Sequence, residues 1–106
     1  VHSAGLSAQE GAPANKKSQL VAQEINLDLS AFRSRSLFSL QEESFDEVLG
    51  MTFSHQHQSI NNFQLLDPRN KEIEDPFGGD IETYRRTREA LKIAITKRVQ
   101  LWQGNI

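Results

Sequence analysis

Residues 75–80 read Asp75-Pro76-Phe77-Gly78-Gly79-Asp80, and the longest regular pattern of the chain, residues 81–102, follows directly. Proline drives the residue before it toward extended backbone, so Asp75 stands outside any helix. Gly78-Gly79 permits a turn, and Asp80 is placed to cap what comes next. Ile81, Tyr84, Leu91, Ala94, Ile95, Leu101 and Trp102 recur at three- and four-residue steps, the stripe of an amphipathic helix. Arg85, Arg86, Lys92, Lys97 and Arg98 define its charged side. A carboxylate on a turn at the mouth of a long helix is the first chemical feature of the chain.

Working outward, residues 67–79 form a loop with a second Asp-Pro pair at Asp67, and residues 63–66 form a brief apolar strand. Residues 54–62 are expected to be helical with Ser54 as N-cap. Residues 45–51 read as a strand diluted by Asp46, Glu47 and Gly50. Ser39 and Glu42 fit a capping box that opens a short helix. A linker covers 26–36, and a helix with Asn15 as N-cap runs to about residue 24, with Leu20, Val21 and Ile25 at helical spacing. Gly11 and Pro13 mark a loop over 6–14. Residues 1–5 read as the end of a strand entering a glycine turn. Alternating strands and helices predict a parallel α/β layer fold. A domain rarely opens on a strand end, so a further segment is expected upstream of Val1.

The chain has 106 residues, 37% hydrophobic and 25% charged, with a formal net charge of −2. That length and mixture suit one globular domain, residues 1–106, and not a disordered tract. The charge gives no general attraction to nucleic acid or anionic lipid. No apolar run approaches the ~18 residues of a membrane span, and no secretory signal opens the chain, so the cytoplasm is the expected location. There is no cysteine. A disulfide framework, a thiolate nucleophile and thiolate-bound zinc are therefore excluded within this sequence. Nothing in it specifies an oligomeric state.

Five separated blocks then share one order with a known family. They are Ser3-Ala4-Gly5 with Gly11-x-Pro13-Ala14; Leu27-Asp28-Leu29-Ser30 with Arg33-Ser34-Arg35; Asp46 and Met51-Thr52 with His55; Leu65-Leu66; and Asp75 to Gly79 with Tyr84 and Arg85. Together they resemble the low-molecular-weight protein tyrosine phosphatases across nearly the whole chain. The resemblance implies a three-layer, flavodoxin-like parallel sheet of the phosphotyrosine protein phosphatase I type. It also implies that a first strand, a Cys-x5-Arg phosphate loop and a first helix are missing here, making residues 1–106 a single incomplete domain. The stretch between His57 and Phe63 is shorter than the family's pattern, and Phe32 stands where many relatives carry histidine. In that family the missing strand lies centrally in the sheet. Its omission is expected to cost many kcal/mol against a domain stability of only ~5–15 kcal/mol.

The chemistry implied is hydrolysis of a phosphorylated protein side chain, phosphotyrosine or phosphoarginine, through a phosphocysteine intermediate. A low-pKa thiolate in the phosphate loop attacks phosphorus, while an aspartic acid on a facing loop protonates the leaving oxygen and later activates water. By resemblance Asp75 is that acid, and Phe77 is an aromatic wall for the substrate. Without a thiolate the chain is expected to be inactive. No cofactor or metal is needed. Two alternatives stand beside this one: an arsenate reductase-like relative, and a non-catalytic phosphoprotein-binding or regulatory remnant.

Other residues admit plainer readings. His55 and His57 form a His-x-His pair, but such spacing on a helix turns the rings to different faces and no third ligand is specified. Arg85, Arg86 and Arg88 are interleaved with Glu82 and Glu89, which suits a solvated face and not nucleic-acid binding. Ser34, between Arg33 and Arg35, and Ser36 after Arg35 are placed in the manner of a phosphorylation site. Tyr84 and Trp102 are expected to seal the last helix against the sheet.

Overall fold

The computed structural model describes residues 2–40, 44–56 and 62–104, which form two compact units, Val1–Ser44 and Phe45–Ile106. In the first unit, helix α1 spans Lys16–Gln23, and Asn15 caps it as expected, its Oδ1 accepting from the Lys17 amide at 2.8 Å. Asn26 takes a left-handed φ of 63° and turns the chain away from the helix end, where the Leu27 amide donates to the Ala22 carbonyl at 3.0 Å. Val21 and Ala22 are the buried residues of α1.

The strand expected at 1–5 is a single parallel bridge, Gly5 to Ser36, within the described residues. Gly5 donates to the Arg35 carbonyl (2.9 Å) and accepts from the Leu37 amide (3.0 Å). A second bridge, Pro13 to Arg33, is antiparallel. Between the two contacts Gly11 takes a φ of +77°. Ser34 belongs to this knot: its hydroxyl accepts from the Ala12 amide at 3.2 Å and donates to the Gln9 carbonyl. Glu42, the second member of the capping box expected at Ser39, lies outside the described residues. Ser39 sits inside a 3-10 turn, Leu37–Leu40, and donates its hydroxyl to the Ser36 carbonyl at 2.7 Å. Ser36 takes the capping role instead, accepting from the Phe38 amide at 3.0 Å. A hydroxyl two residues upstream of an amide closes a tighter ring than the capping box requires.

In the second unit, β1 (Val48–Gly50) and β2 (Phe63–Leu65) pair in parallel, with Val48 opposite Phe63 and Gly50 opposite Leu65. Both expected strands are present and shorter at their ends. Gly50 is required by packing, since a Cβ there would stand 2.5 Å from the Phe63 ring. The helix expected from Ser54 is, in its described part, one 3-10 turn at Phe53–His55 with Thr52 in the cap position. Gln56 is already extended, and residues 57–61, where the remainder of that helix and the short stretch before Phe63 fall, lie outside the described residues.

Helix α2 spans Ile81–Gly104, 24 residues. Asp80 caps it as expected, its Oδ1 accepting from the Thr83 amide (2.9 Å) and hydroxyl (2.8 Å). Those bonds, the amide first, hold the Asp80 carboxyl below its ordinary pKa. The core of this unit is built by Leu65, Ile73, Tyr84 and Ala94. Two expectations for α2 are corrected. Trp102 is 52% exposed, not buried as expected, while Tyr84 is 4% exposed and part of the core. Strands of three residues span about 10 Å, whereas a 24-residue helix runs about 36 Å, so α2 outlasts the sheet it packs on. Arg98, assigned above to the charged side, is 3% exposed and lies in the buried seam.

Candidate functional site

The chemistry-bearing segment is the loop from the end of β2 to the start of α2. Its first turn is built on Asp67, buried at 3% exposure. Arg69 grips this carboxylate as a fork: its amide and Nε donate to Oδ1 at 2.8 and 3.0 Å, and Nη2 donates to Oδ2 at 2.7 Å. Burial alone would raise the pKa of Asp67. The Arg69 side-chain hydrogen bonds dominate, with smaller help from its amide and from the charges of Arg69 and Lys71, and hold the carboxyl at about 2. Asp67 is therefore a charged structural clasp at working pH. Asn70, at φ 60°, closes the turn by donating to the Asp67 carbonyl at 3.0 Å.

Two backbone bonds then tie the loop to the end of β1. The Leu66 amide donates to the Gly50 carbonyl and the Ile73 amide to the Met51 carbonyl, each at 2.8 Å. His55 supports the same corner, its Nδ1 accepting from the Met51 amide at 3.2 Å. Asp75 follows two residues beyond the buried Ile73. It is exposed, and its Oδ1 accepts from the Phe77 amide at 3.0 Å, an Asx turn that orients the carboxylate along the loop. Oδ2 is left open among the described residues. Phe77 is 79% exposed beside it. Gly78 adopts φ +85°, where a side chain is strained, and the Gly79 amide donates to the Pro76 carbonyl at 2.8 Å. A Cβ on Gly79 would meet the Thr83 side chain at 2.8 Å, so the turn into α2 needs both glycines. The loop thus has a buried, clasped base and an open tip, an arrangement able to present one carboxylate and one aromatic ring to a bound molecule.

The arginines at the start of α2 make local pairs. Arg85 pairs with Glu82, Arg88 with Glu89 at 2.8 Å, and Arg86 donates to the Thr83 hydroxyl at 3.1 Å. Among the described residues no group of three or more His, Asp or Glu side chains is gathered in the manner of a metal site, and His57 is not described. No helix among them is long and apolar enough to cross a membrane.

Residues 1–103 match the low molecular weight phosphotyrosine protein phosphatase family. The chain belongs to that family. A protein-arginine-phosphatase of Geobacillus stearothermophilus is 32% identical over 108 residues, covering 92% of this chain and 72% of that protein. The low molecular weight protein-tyrosine-phosphatase PtpB of Staphylococcus haemolyticus is 33% identical over 106 residues, covering 92% and 75%. The structure of the arginine phosphatase YwlE from Geobacillus stearothermophilus superposes with a TM-score of 0.86 at 28% identity, over 98% of this chain and 74% of that one. The fold is accordingly the α/β fold of the low molecular weight phosphatases, and members of this family act on phosphorylated proteins.

Within this phosphatase fold the sequence placed Asp75, Phe77 and the cap Asp80 on the loop and helix start where they stand. It gave no role to Asp67, Arg69 or Arg98. Asp67-Pro68 was legible only as a turn, and the partner that makes Asp67 a clasp lies two residues on in an otherwise unpatterned loop. Arg98 carried a signal that was available: it continues the three- and four-residue steps of Tyr84, Leu91 and Ala94.

Proposed function

We propose that this chain carries the proton-delivering half of a protein phosphatase site, with Asp75 as general acid toward the leaving oxygen or nitrogen of a phosphorylated side chain. Phe77 flanks that side chain as an aromatic wall. The substrate is a protein bearing phosphotyrosine or phosphoarginine, and the setting is the cytoplasm. The observation that carries this reading is the pairing of family membership across residues 1–103 with an exposed Asp75 whose Oδ2 is open at the tip of a clasped loop. The chemistry follows from the phosphate ester itself. A phosphate monoester dianion repels nucleophiles, and its leaving group departs poorly unless protonated. An acid at the leaving oxygen supplies typically ~10²–10⁴-fold. That is a small part of the acceleration such slow reactions require.

The remainder belongs to a nucleophile and a phosphate-holding loop, and the 106 residues contain no cysteine. We therefore read residues 1–106 as a single incomplete domain that is inactive by itself. The test is incubation of the purified chain with an aryl phosphate, with an Asp75→Asn preparation run alongside to expose contaminating enzymes. No turnover above the Asp75→Asn control is expected. Turnover in the parent chain that Asp75→Asn removes would overturn the claim of inactivity. An in-frame Cys-x5-Arg segment encoded upstream of Val1 would settle the source of the nucleophile.

A further inference from the structure

Helix α2 starts where the Asp75 loop ends, and it returns Arg98 to the strand end from which the same loop departs. From Ile81 to Arg98 the helix covers about 26 Å. There the guanidinium is buried against backbone. Nη2 donates to the Leu65 carbonyl at 2.5 Å, Nε to the Leu66 carbonyl at 3.1 Å, and Nη1 to the Gln64 Oε1 at 3.4 Å. A charged head taken out of water at this position is costly unless its donors are used. An apolar side chain would fill the seam without that cost, since Ala94 one turn earlier is fully buried. Asp67, the buried carboxylate of this loop, is held by Arg69 and not by Arg98. Arg98 therefore engages the main chain of two successive residues, and its rigid fork registers where β2 ends.

We propose that Arg98 is a positioning residue for Asp75. By holding the carbonyls of Leu65 and Leu66 it fixes how far along β2 the helix sits, and so fixes the separation between the two ends of loop 66–80. Between Ile73, pinned to Met51, and Asp80, which caps α2, the Asp75 carboxylate accepts from the Phe77 amide within the same loop. Its place is then inherited from those two fixed points, and the second of them moves with the helix. This inference rests on Asp75 as the proton donor, but its test reads geometry without turnover. Failure of one is therefore distinguishable from failure of the other.

Because the chain has no cysteine, two spin labels can be placed without other changes. Glu74→Cys with Gln100→Cys reports the loop against the helix, and Glu89→Cys with Gln100→Cys reports the helix alone. In the parent chain the loop–helix distance distribution is expected to be narrow. In Arg98→Met it widens and shifts by about 1–2 Å, the size of a helix slide, while the Glu89–Gln100 distribution stays fixed. Arg98→Lys decides if Arg98→Met loses its helical circular dichroism. One ammonium cannot span three fixed acceptors, so the loop–helix distribution must still widen with the helix intact. A loop–helix distribution already broad in the parent overturns the proposal. So does one unchanged in Arg98→Lys and in folded Arg98→Met, which would leave Arg98 a purely stabilising residue.

Discussion

At Asp67, burial and pairing pull on one carboxyl in opposite directions, and pairing wins because Arg69 delivers three donors to two oxygens. A carboxyl held at about 2 in the folded chain, against ~3.9 when unfolded, stabilises the fold above the unfolded value. That contribution is lost as the pH falls from about 4 through about 2. Asp67→Asn keeps the size and removes the charge, leaving Arg69 without its charged partner. The thermal midpoint of Asp67→Asn, followed by far-ultraviolet circular dichroism, is expected to lie below that of the parent at pH 6, with the gap closing toward pH 2. A gap that stays constant over that range would show that the clasp does not act through the Asp67 charge. Neither this clasp nor the Arg98 fork was legible as such. What decides each is a fixed geometry of donors around one oxygen set, and for Arg98 two of its acceptors are main-chain carbonyls, which carry no signature in the side-chain alphabet. Asp75 was legible as a loop residue from Pro76, Gly78 and Gly79, and as a candidate acid only through the family blocks that flank it.

At the scale of elements, the caps show which local rules survive folding. Asn15 and Asp80 each precede a helix of at least two turns, and both cap as their sequences indicate. Ser39 and Ser54 lie instead inside single 3-10 turns, where Ser36 and Thr52 hold the leading positions. The strands were legible as apolar runs, but their lengths were not, because a strand ends where its partner does. Only β2 pairs with β1 among the described residues. A two-stranded parallel sheet is an uncommon arrangement, since parallel sheets are ordinarily buried on both faces. Its amides are therefore expected to open easily. Hydrogen exchange in the isolated chain should be fast across residues 46–51 and slower through the centre of α2, whose ladder is internal to the helix. Protection at 48–50 equal to that at Leu91 and Ala94 would contradict a sheet of low local stability. Leu101 and Trp102, beyond Arg98 on the helix, are exposed, and Ile95 is exposed on a different face of α2 from buried Ala94 and Arg98.

For the whole molecule, the family's α/β fold was readable from blocks spread over most of the chain, each weak by itself, whereas the division into two compact units was not. The common order of those blocks is what made the fold readable. The proposed function rests on one loop of it, with Asp75 as the proposed proton donor, and the 106 residues hold no cysteine to attack phosphorus. That role of Asp75 is open to direct measurement. The chain is joined in frame behind a strand, Cys-x5-Arg loop and helix of the family's pattern, and turnover is compared on two aryl phosphates. Phenyl phosphate needs its leaving oxygen protonated; 2,4-dinitrophenyl phosphate does not. If Asp75 is the acid, Asp75→Asn lowers kcat on phenyl phosphate by ~10²–10⁴-fold and leaves the dinitrophenyl ester little changed. An equal loss on both esters, or no loss on either, would contradict it.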